Sequence, residues 1–241
     1  MTVGELIQRV QSLYSKGVQS DDTRLSPRHI YNKLLTARSK LIWDKTEYNE
    51  NKVRKNSFDK NLYQTLNCIE LIKIPNHECS CLESYGCNIY RSKYKLPKFM
   101  NVGSNKNIKY VGTIDNVSRY KEVPPEMVKY FSGNKYSKNV KYYHIEDQYL
   151  YITEKYAPIV MKVVAIFEDP VEVLSFPQYC DSKKEDNFDE CKSAFDIEFP
   201  IDSDLIEPLI QSAINELVIT FNQAQEDISN DSKDSSIQQT K

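Results

Sequence analysis

An apolar stripe near the C-terminal end of the chain, from Ile201 to Phe221, constrains the fold more than any other feature. Two adjacent apolar residues recur about every four positions, which is the spacing of one wide face on an α-helix. The tripeptide Asp202–Asp204 precedes the stripe and offers side-chain oxygens that can cap the start of a helix. Because Pro208 has no N–H group, regular helix is expected to begin at Asp204 or later.

The stripe needs an apolar surface to cover it, either a core of the same chain or a neighbouring chain. We take its apolar residues as the candidate partner-binding set: Leu205, Leu209, Ile210, Ile214, Leu217 and Phe221. The alternative is an ordinary packing helix followed by a frayed tail, since residues 222–241 contain few aliphatic side chains.

The N-terminal region predicts a pair of helices. Thr2 and Glu5 have the spacing of a capping box, and Gly17 follows the apolar series as a helix-ending glycine. Ser26 and Pro27 then match the N-cap and first position of a second helix. Two antiparallel helices joined by a short loop are therefore expected.

Short strands are predicted for the middle of the chain. Lys141–His144 and Tyr149–Thr153 have the pattern of a hairpin that turns at Glu146–Gln148, and Ile159–Phe167 is the best candidate for a buried strand. The fold class is therefore α+β, with an N-terminal helical pair, a small antiparallel β region, a long C-terminal helix and an extended acidic tail. The expected divisions are a helical hairpin (1–55), a mostly β region (56–170), an acidic irregular segment (171–200), a C-terminal helix (201–225) and a polar tail (226–241).

Charge is distributed unevenly along the chain. Met1 to Phe167 carries 27 basic and 16 acidic residues, a net charge of +11, whereas Glu168 to Lys241 carries 5 basic and 18 acidic residues, a net charge of −13. A basic body with an acidic C-terminal part could pair head to tail with further copies or present one face to a polyanion. Charges spread over solvated faces are the other interpretation.

One loop contains a cluster of soft ligands: His77, Cys79, Cys81 and Cys87. These four side chains could hold a tetrahedral zinc ion, although Cys79 and Cys81 are closer together than in ordinary structural zinc sites. Cys180 and Cys191 could complete such a site. Free thiols are expected instead, because a cytosol keeps cysteines reduced and disfavours disulfides. No metal and no cofactor are therefore predicted.

Signals for catalysis and for export are weak. The nucleophile-elbow, phosphate-loop, dinucleotide-binding and zinc-protease motifs are absent from the sequence. His29 stands near a helix start and His144 in a strand, where a surface role and a packed role are expected. The longest apolar runs fall short of the roughly 20 residues of a membrane span, and the N-terminus does not resemble a signal peptide. The sequence predicts a non-enzymatic protein made in a cytosol.

A basic stretch from Lys93 to Lys141 contains interleaved aromatic residues that could stack on nucleic-acid bases while cations contact phosphates. The aromatic residues are Tyr94, Phe99, Tyr110, Tyr120, Tyr130 and Tyr136. Solvated lysines on a β surface explain the same pattern.

Several segments together resemble a known family of structural proteins. They are Gly4–Ile7, Asp21–Tyr31, Tyr85–Cys87, Arg91–Pro97, Phe167–Pro170 and Glu198–Asp202. The chain is similar to head-to-tail connector proteins, the ring or adaptor proteins of crAss-like bacteriophages, which are short-tailed phages of gut Bacteroidota.

This resemblance implies a non-enzymatic virion protein that forms a cyclic ring, dodecameric to match the portal. The portal protein would lie above it and another ring or tail protein below it. The ring would sit in the neck, at the head–tail junction, after assembly in the host cytoplasm. Genomic DNA would pass through its channel without sequence-specific contact, and no membrane would be involved. The alternative is a small metal- or nucleic-acid-binding module centred on the His77–Cys87 loop.

Overall fold

The structure is a computed structural model, and it describes residues 1–17, 25–48, 60–74, 89–102, 105–127, 130, 140–154, 157–180 and 193–234. The chain forms two compact units. One contains Met1–Phe58 together with Lys192–Lys241, and the other contains Asp59–Cys191. We call them the helical unit and the sheet unit. The described residues include four α-helices: α1 (Val3–Tyr14), α2 (Pro27–Tyr48), α3 (Pro170–Leu174) and α4 (Ile206–Asp234).

Local hydrogen bonds set the ends of the first two helices as predicted. The Thr2 hydroxyl accepts from the Glu5 N–H, and the Glu5 carboxylate accepts from the Thr2 N–H, so the capping box is confirmed. After α1 the chain passes through Gly17 at a φ of 81°. The Ser26 hydroxyl accepts from the His29 N–H where α2 begins, which confirms Ser26 as its N-cap.

In the helical unit, α4 contacts both α1 and α2. The segment that leads into α4 lies alongside the N-terminus, where the Val3 N–H donates to Ile197 O and the Phe199 N–H donates to Met1 O. The core is built by apolar side chains from all of these parts: Val3, Leu6, Ile7, Val10, Leu25, Ile30, Leu34, Ala37, Ile42, Phe199, Ile201, Leu209, Ile210, Ala213 and Leu217.

The sheet unit contains nine described strands. They are β1 (Gln64–Ile74), β2 (Ile89–Ser92), β3 (Asn101–Val102), β4 (Asn105–Lys106), β5 (Ile108–Gly112), β6 (Tyr120–Glu122), β7 (Lys141–Glu146), β8 (Tyr149–Thr153) and β9 (Val160–Ala165). Seven of them form one sheet in the order β5-β9-β1-β2-β8-β7-β6, and β3 pairs with β4.

The main sheet differs from the predicted small antiparallel region in two respects. Among the described strands, β6 runs parallel to β7, whereas the other neighbours in this sheet pair antiparallel. A bridge between Gly112 and Arg119 also connects the end of β5 to the residue before β6, so the sheet nearly closes on itself. The class itself, α+β, is confirmed.

Two strand predictions are confirmed. β7 and β8 form a hairpin whose turn residues Asp147 and Gln148 have φ values of 49° and 68°, as a tight hairpin turn requires. β9 lies between β5 and β1, and its residues alternate between buried and half-buried positions, so only one of its faces enters the core.

Gly112 is a position where a side chain would not fit. A Cβ atom there would overlap the Tyr110 hydroxyl and the Ser118 carbonyl oxygen. We expect Gly112→Ala to lower the free energy of unfolding by about 1–3 kcal/mol, because a backbone oxygen cannot move aside cheaply. Urea denaturation measures this loss. The exposed Asn67→Ala on β1 is the control and should change stability by less than about 0.5 kcal/mol; an equal effect of both variants would contradict the expectation.

Candidate assembly surfaces

The apolar stripe on α4 faces the interior of its own unit. Leu209, Ile210 and Leu217 are fully buried, and Leu205 and Ile214 are partly buried. The side chain of Phe221, the sixth residue of the predicted partner-binding set, lies outside the described part of the chain. The described members of the set therefore attach α4 to α1 and α2.

A buried arginine holds the segment before α4 against α2. The Arg38 side chain is fully buried, and its Nε donates a hydrogen bond of 3.0 Å to the Pro200 carbonyl oxygen. Its guanidinium carbon lies 5.8 Å from the centre of the Phe199 ring, within the range of a cation–π contact. Arg38 thus fixes the direction from which the chain enters α4.

A second contact from α2 involves two acidic residues at the start of α4. Lys45 Nζ lies 2.8 Å from Asp202 Oδ2 and 3.4 Å from Asp204 Oδ2. Partial burial alone would lower the pKa of Lys45, but its hydrogen bond and attraction to Asp202, with a smaller contribution from Asp204, raise that pKa overall. The ammonium group stays charged at neutral pH.

Of the three residues Asp202–Asp204 that offered capping oxygens, Asp202 takes the N-cap position but does not cap the helix with its side chain. Its side chain makes no cap hydrogen bond, because the carboxylate is buried and pairs with Lys45 instead. A turn of 3-10 helix, Ser203–Leu205, precedes the regular helix, which begins at Ile206. Pro208 therefore lies in the first turn, as predicted.

The outward side of α4 carries apolar residues that were not in the predicted set. Val218 is 38% exposed and Ile219 is 59% exposed. Val218 belongs to the apolar stripe of the sequence but was not selected as a partner-binding residue, and Ile219 lies just off the stripe. Elsewhere in the helical unit, Leu13 on α1 and Trp43 on α2 are also exposed. The described part of this unit therefore leaves several large apolar side chains uncovered.

The proposed zinc loop lies outside the described residues, as do all four of its candidate ligands: His77, Cys79, Cys81 and Cys87. Cys191 also lies outside them. Among the residues that the structure describes, no group of three or more His, Cys, Asp or Glu side chains is placed to hold a metal ion.

Cys180 was considered above as a residue that could complete the zinc site, but its partner in the structure is another cysteine. It forms a disulfide with Cys68 on β1, and the two Cα atoms are 5.7 Å apart. The adjacent Tyr179 N–H donates to the Cys68 carbonyl oxygen at 2.9 Å, so backbone and side chain attach the same segment to β1. The expectation of reduced thiols is wrong for this pair, because folding brings together two cysteines that are 112 residues apart.

The aromatic residues of the basic stretch divide into two groups. Phe99 and Tyr120 are buried and cannot stack on a base, and Phe99 packs on Phe167 with ring centres 5.1 Å apart. Tyr94 and Tyr130 are exposed. Tyr110 is partly buried, and Tyr136 lies outside the described residues.

A packed position was expected for His144 and a surface role for His29. His144 is buried and stacks on Tyr151 at 5.1 Å, which confirms its packed position, while His29 is half-buried near the start of α2. In the described ranges, no helix is long and apolar enough to cross a membrane.

Comparison with known proteins extends over nearly the whole chain. The model of a family described as "Phage tail ring protein 2" matches residues 5–238. A protein of Bacteroides phage crAss001 named "Ring protein 2" is 31% identical over 226 residues, which cover 90% of this chain and 90% of that protein. Both matches include the two units described above.

Proposed function

The chain belongs to the phage tail ring protein 2 family of crAss-like phages, and on this premise we propose that it forms a ring in the neck that connects the portal to the tail. The family match over residues 5–238 is the observation that carries the proposal. At the level of the family, the chain is a structural ring protein of a phage virion. Its mechanism is assembly, and DNA would pass through the central channel.

In a ring of identical subunits, each copy presents two different patches to its neighbours. The sequence is basic over residues 1–167, with a net charge of +11, and acidic over residues 168–241, with a net charge of −13, and this asymmetry supports patches of opposite sign. We propose a dodecameric ring that contacts the portal protein on one side and another ring or tail protein on the other. The subunits would assemble in the host cytoplasm and remain at the head–tail junction of the virion.

We propose α4 as the element that meets a neighbouring protein. The predicted set Leu205–Phe221 contributes indirectly, because its described members hold the helix on its own unit. The outward residues Val218 and Ile219 would then make the contact. The helix continues to Asp234, so its polar end and the polar residues 235–241 that follow would extend the same interface.

We expect the double variant Val218→Asp/Ile219→Asp to fold but to be excluded from particles. Each buried, unpaired carboxylate would cost the interface at least about 2 kcal/mol, or roughly thirtyfold in affinity. The measurement is the amount of a tagged copy, expressed in the infected host, that is found by immunoblot in gradient-purified virions.

The matched control places the same two charges on exposed aliphatic residues of the sheet unit, Val117→Asp/Ile159→Asp. These residues are 81% and 69% exposed, respectively. We expect the control to enter particles as the parent chain does. Equal incorporation of the α4 variant and the parent would contradict the role of α4, and absence of the parent chain from particles would contradict the ring function itself.

A further inference from the structure

A groove on the sheet unit is lined by cations from separate parts of the chain. Lys109 lies on β5, Arg119 directly before β6, and Lys162 on β9. They line a cavity of about 440 Å³ together with Tyr63, Thr65, Tyr110, Asn116 and Val164. A second cavity, of about 380 Å³, shares Lys109, Tyr110 and Arg119 and adds Lys121 and Glu122 to the lining. We call the two cavities together the basic groove.

Strand register explains why these residues share one face. Met161 and Val163 of β9 point into the core, so Lys162 and Val164 point outward. Thr65 of β1 and Tyr110 of β5 are the partners of Val164 across the two neighbouring ladders. The outward face of three adjacent strands therefore forms the floor of the groove.

The wall near Arg119 is held in place by hydrogen bonds. The Thr113 N–H donates to Ser118 O at 3.0 Å, and the Tyr110 hydroxyl lies 3.2 Å from the same oxygen. Arg119 Nη2 donates to Lys109 O at 3.0 Å. Little ordering is required before the groove can accept a ligand, which favours binding.

The groove cations are not neutralised by carboxylates. Within the described residues, Lys109, Arg119, Lys121 and Lys162 take part in no salt bridge, whereas Lys93 pairs with Glu70 and Lys141 with Glu154. Lys109 lies over the Tyr63 ring at 4.6 Å, and Lys162 Nζ is 3.4 Å from Asn116 Oδ1. These are neutral partners, so the positive charge of the groove remains available.

The nearby carboxylates have other partners. Asp115 accepts from the Thr113 hydroxyl and from the Val117 N–H, and these hydrogen bonds, the first being the larger cause, lower its pKa. Glu122 interacts with the buried Tyr143 phenol. These partners are neutral and leave the carboxylates charged, but the lining of the groove contains four cations and one carboxylate, Glu122, so the groove is positive overall.

We propose that the basic groove binds the sugar–phosphate backbone of double-stranded DNA. Lysine, arginine, threonine, asparagine and tyrosine side chains are the groups that contact phosphate oxygens in protein–DNA interfaces, and each type lines this groove. Burial raises the pKa of Tyr63, so its phenol remains protonated at neutral pH. Contacts of this kind do not depend on base sequence, which suits DNA that moves past the site. The choice of DNA rests on the proposed ring function.

The test uses the purified full-length chain and a fluorescein-labelled DNA duplex two helical turns long, in two unrelated sequences. Fluorescence anisotropy should show equal affinity for both. In Lys109→Gln/Arg119→Gln/Lys162→Gln, we expect affinity at least tenfold lower at about 50 mM salt. Between about 50 and about 200 mM salt, the slope of log affinity against log salt should become shallower by about 2–3.

The matched control removes the same three charges from exposed positions elsewhere: Arg28→Gln/Lys40→Gln/Lys98→Gln. It should retain the parent affinity and salt slope, and circular dichroism verifies that both variants are folded. A second groove variant, Lys109→Arg/Arg119→Lys/Lys162→Arg, keeps the charge and should keep most of the binding.

Three results would overturn the proposal: no duplex binding by the parent chain, unchanged binding by the groove variant, or equal losses in groove and control variants. If the groove variant binds DNA as the parent does but is lost from virions, the groove is assigned to a protein partner instead. Failure of the ring function is recognised separately, by absence of the parent chain from particles.

Discussion

Reduction of the Cys68–Cys180 disulfide should lower the free energy of unfolding of the sheet unit by about 4–5 kcal/mol. The bond closes a loop across 112 residues, so its loss restores much conformational freedom to the unfolded chain. Reduction removes no atoms from the buried position of Cys68, so the effect is not confused with a packing defect. Urea denaturation followed by circular dichroism, with and without a reductant, measures the difference.

The control for this experiment is the variant Cys68→Ala/Cys180→Ala. Its stability should not respond to the reductant, because the cross-link is already absent. If the parent chain is equally insensitive, or if the variant loses as much stability on reduction as the parent, the stabilising bond is not the one between Cys68 and Cys180.

We expect Lys45→Met to lower the free energy of unfolding of the helical unit by about 3–4 kcal/mol. The Asp202 side chain is only 2% exposed, so without Lys45 its charge would remain in the interior without a cation. Asp204, with 65% of its side chain exposed, can turn to water instead. The chain has one tryptophan, Trp43, which lies on α2, so tryptophan fluorescence during urea denaturation reports on this unit.

Two comparisons test this explanation. Lys40→Met, at an exposed position on the same helix, should change stability by less than about 0.5 kcal/mol. Adding Asp202→Asn to Lys45→Met should recover at least half of the loss, because a neutral amide needs no cation. A loss below about 1 kcal/mol for Lys45→Met, or no recovery in the double variant, would contradict the explanation.

The pH dependence of this contact has a defined sign. Because the folded-state pKa of Lys45 is raised above its ordinary value of 10.5, its contribution is fully present below that pH. The contribution is lost as the pH rises through the higher folded-state pKa. The stability difference between the parent and Lys45→Met should therefore be constant near neutral pH and shrink only in strongly alkaline solution.

The candidate surfaces were predictable only in part. The α4 stripe identified the helix that we propose as the partner-binding element. The residues selected from its periodicity, however, face inward. The reason is that a helix packed on its own core and a helix packed on another chain show the same apolar periodicity in sequence. Val218 and Ile219 became distinguishable only when the packing of α4 was known. Lys162 interrupts an apolar strand in the sequence, and its place in a groove follows only from the pairing of β9 with β5 and β1.

By itself, the sequence determined the local features of this protein. The Thr2–Glu5 capping box, the Ser26–Pro27 helix start and the turn at Asp147–Gln148 depend on hydrogen bonds and dihedral angles within a few residues, so short patterns encode them. It also carried the resemblance to a family of phage ring proteins, which the comparisons confirm.

Only the tertiary structure decided which distant groups meet. Lys45 and Asp202 are 157 residues apart and Cys68 and Cys180 are 112 apart, and no periodic pattern links such positions. Asp202 had the correct residue type and position for a helix cap. A buried carboxylate is stabilised more by a cation than by a backbone N–H, and α2 places Lys45 beside it. The physical reason is the same in each case: long-range contacts depend on how whole elements pack, which short stretches of sequence do not specify.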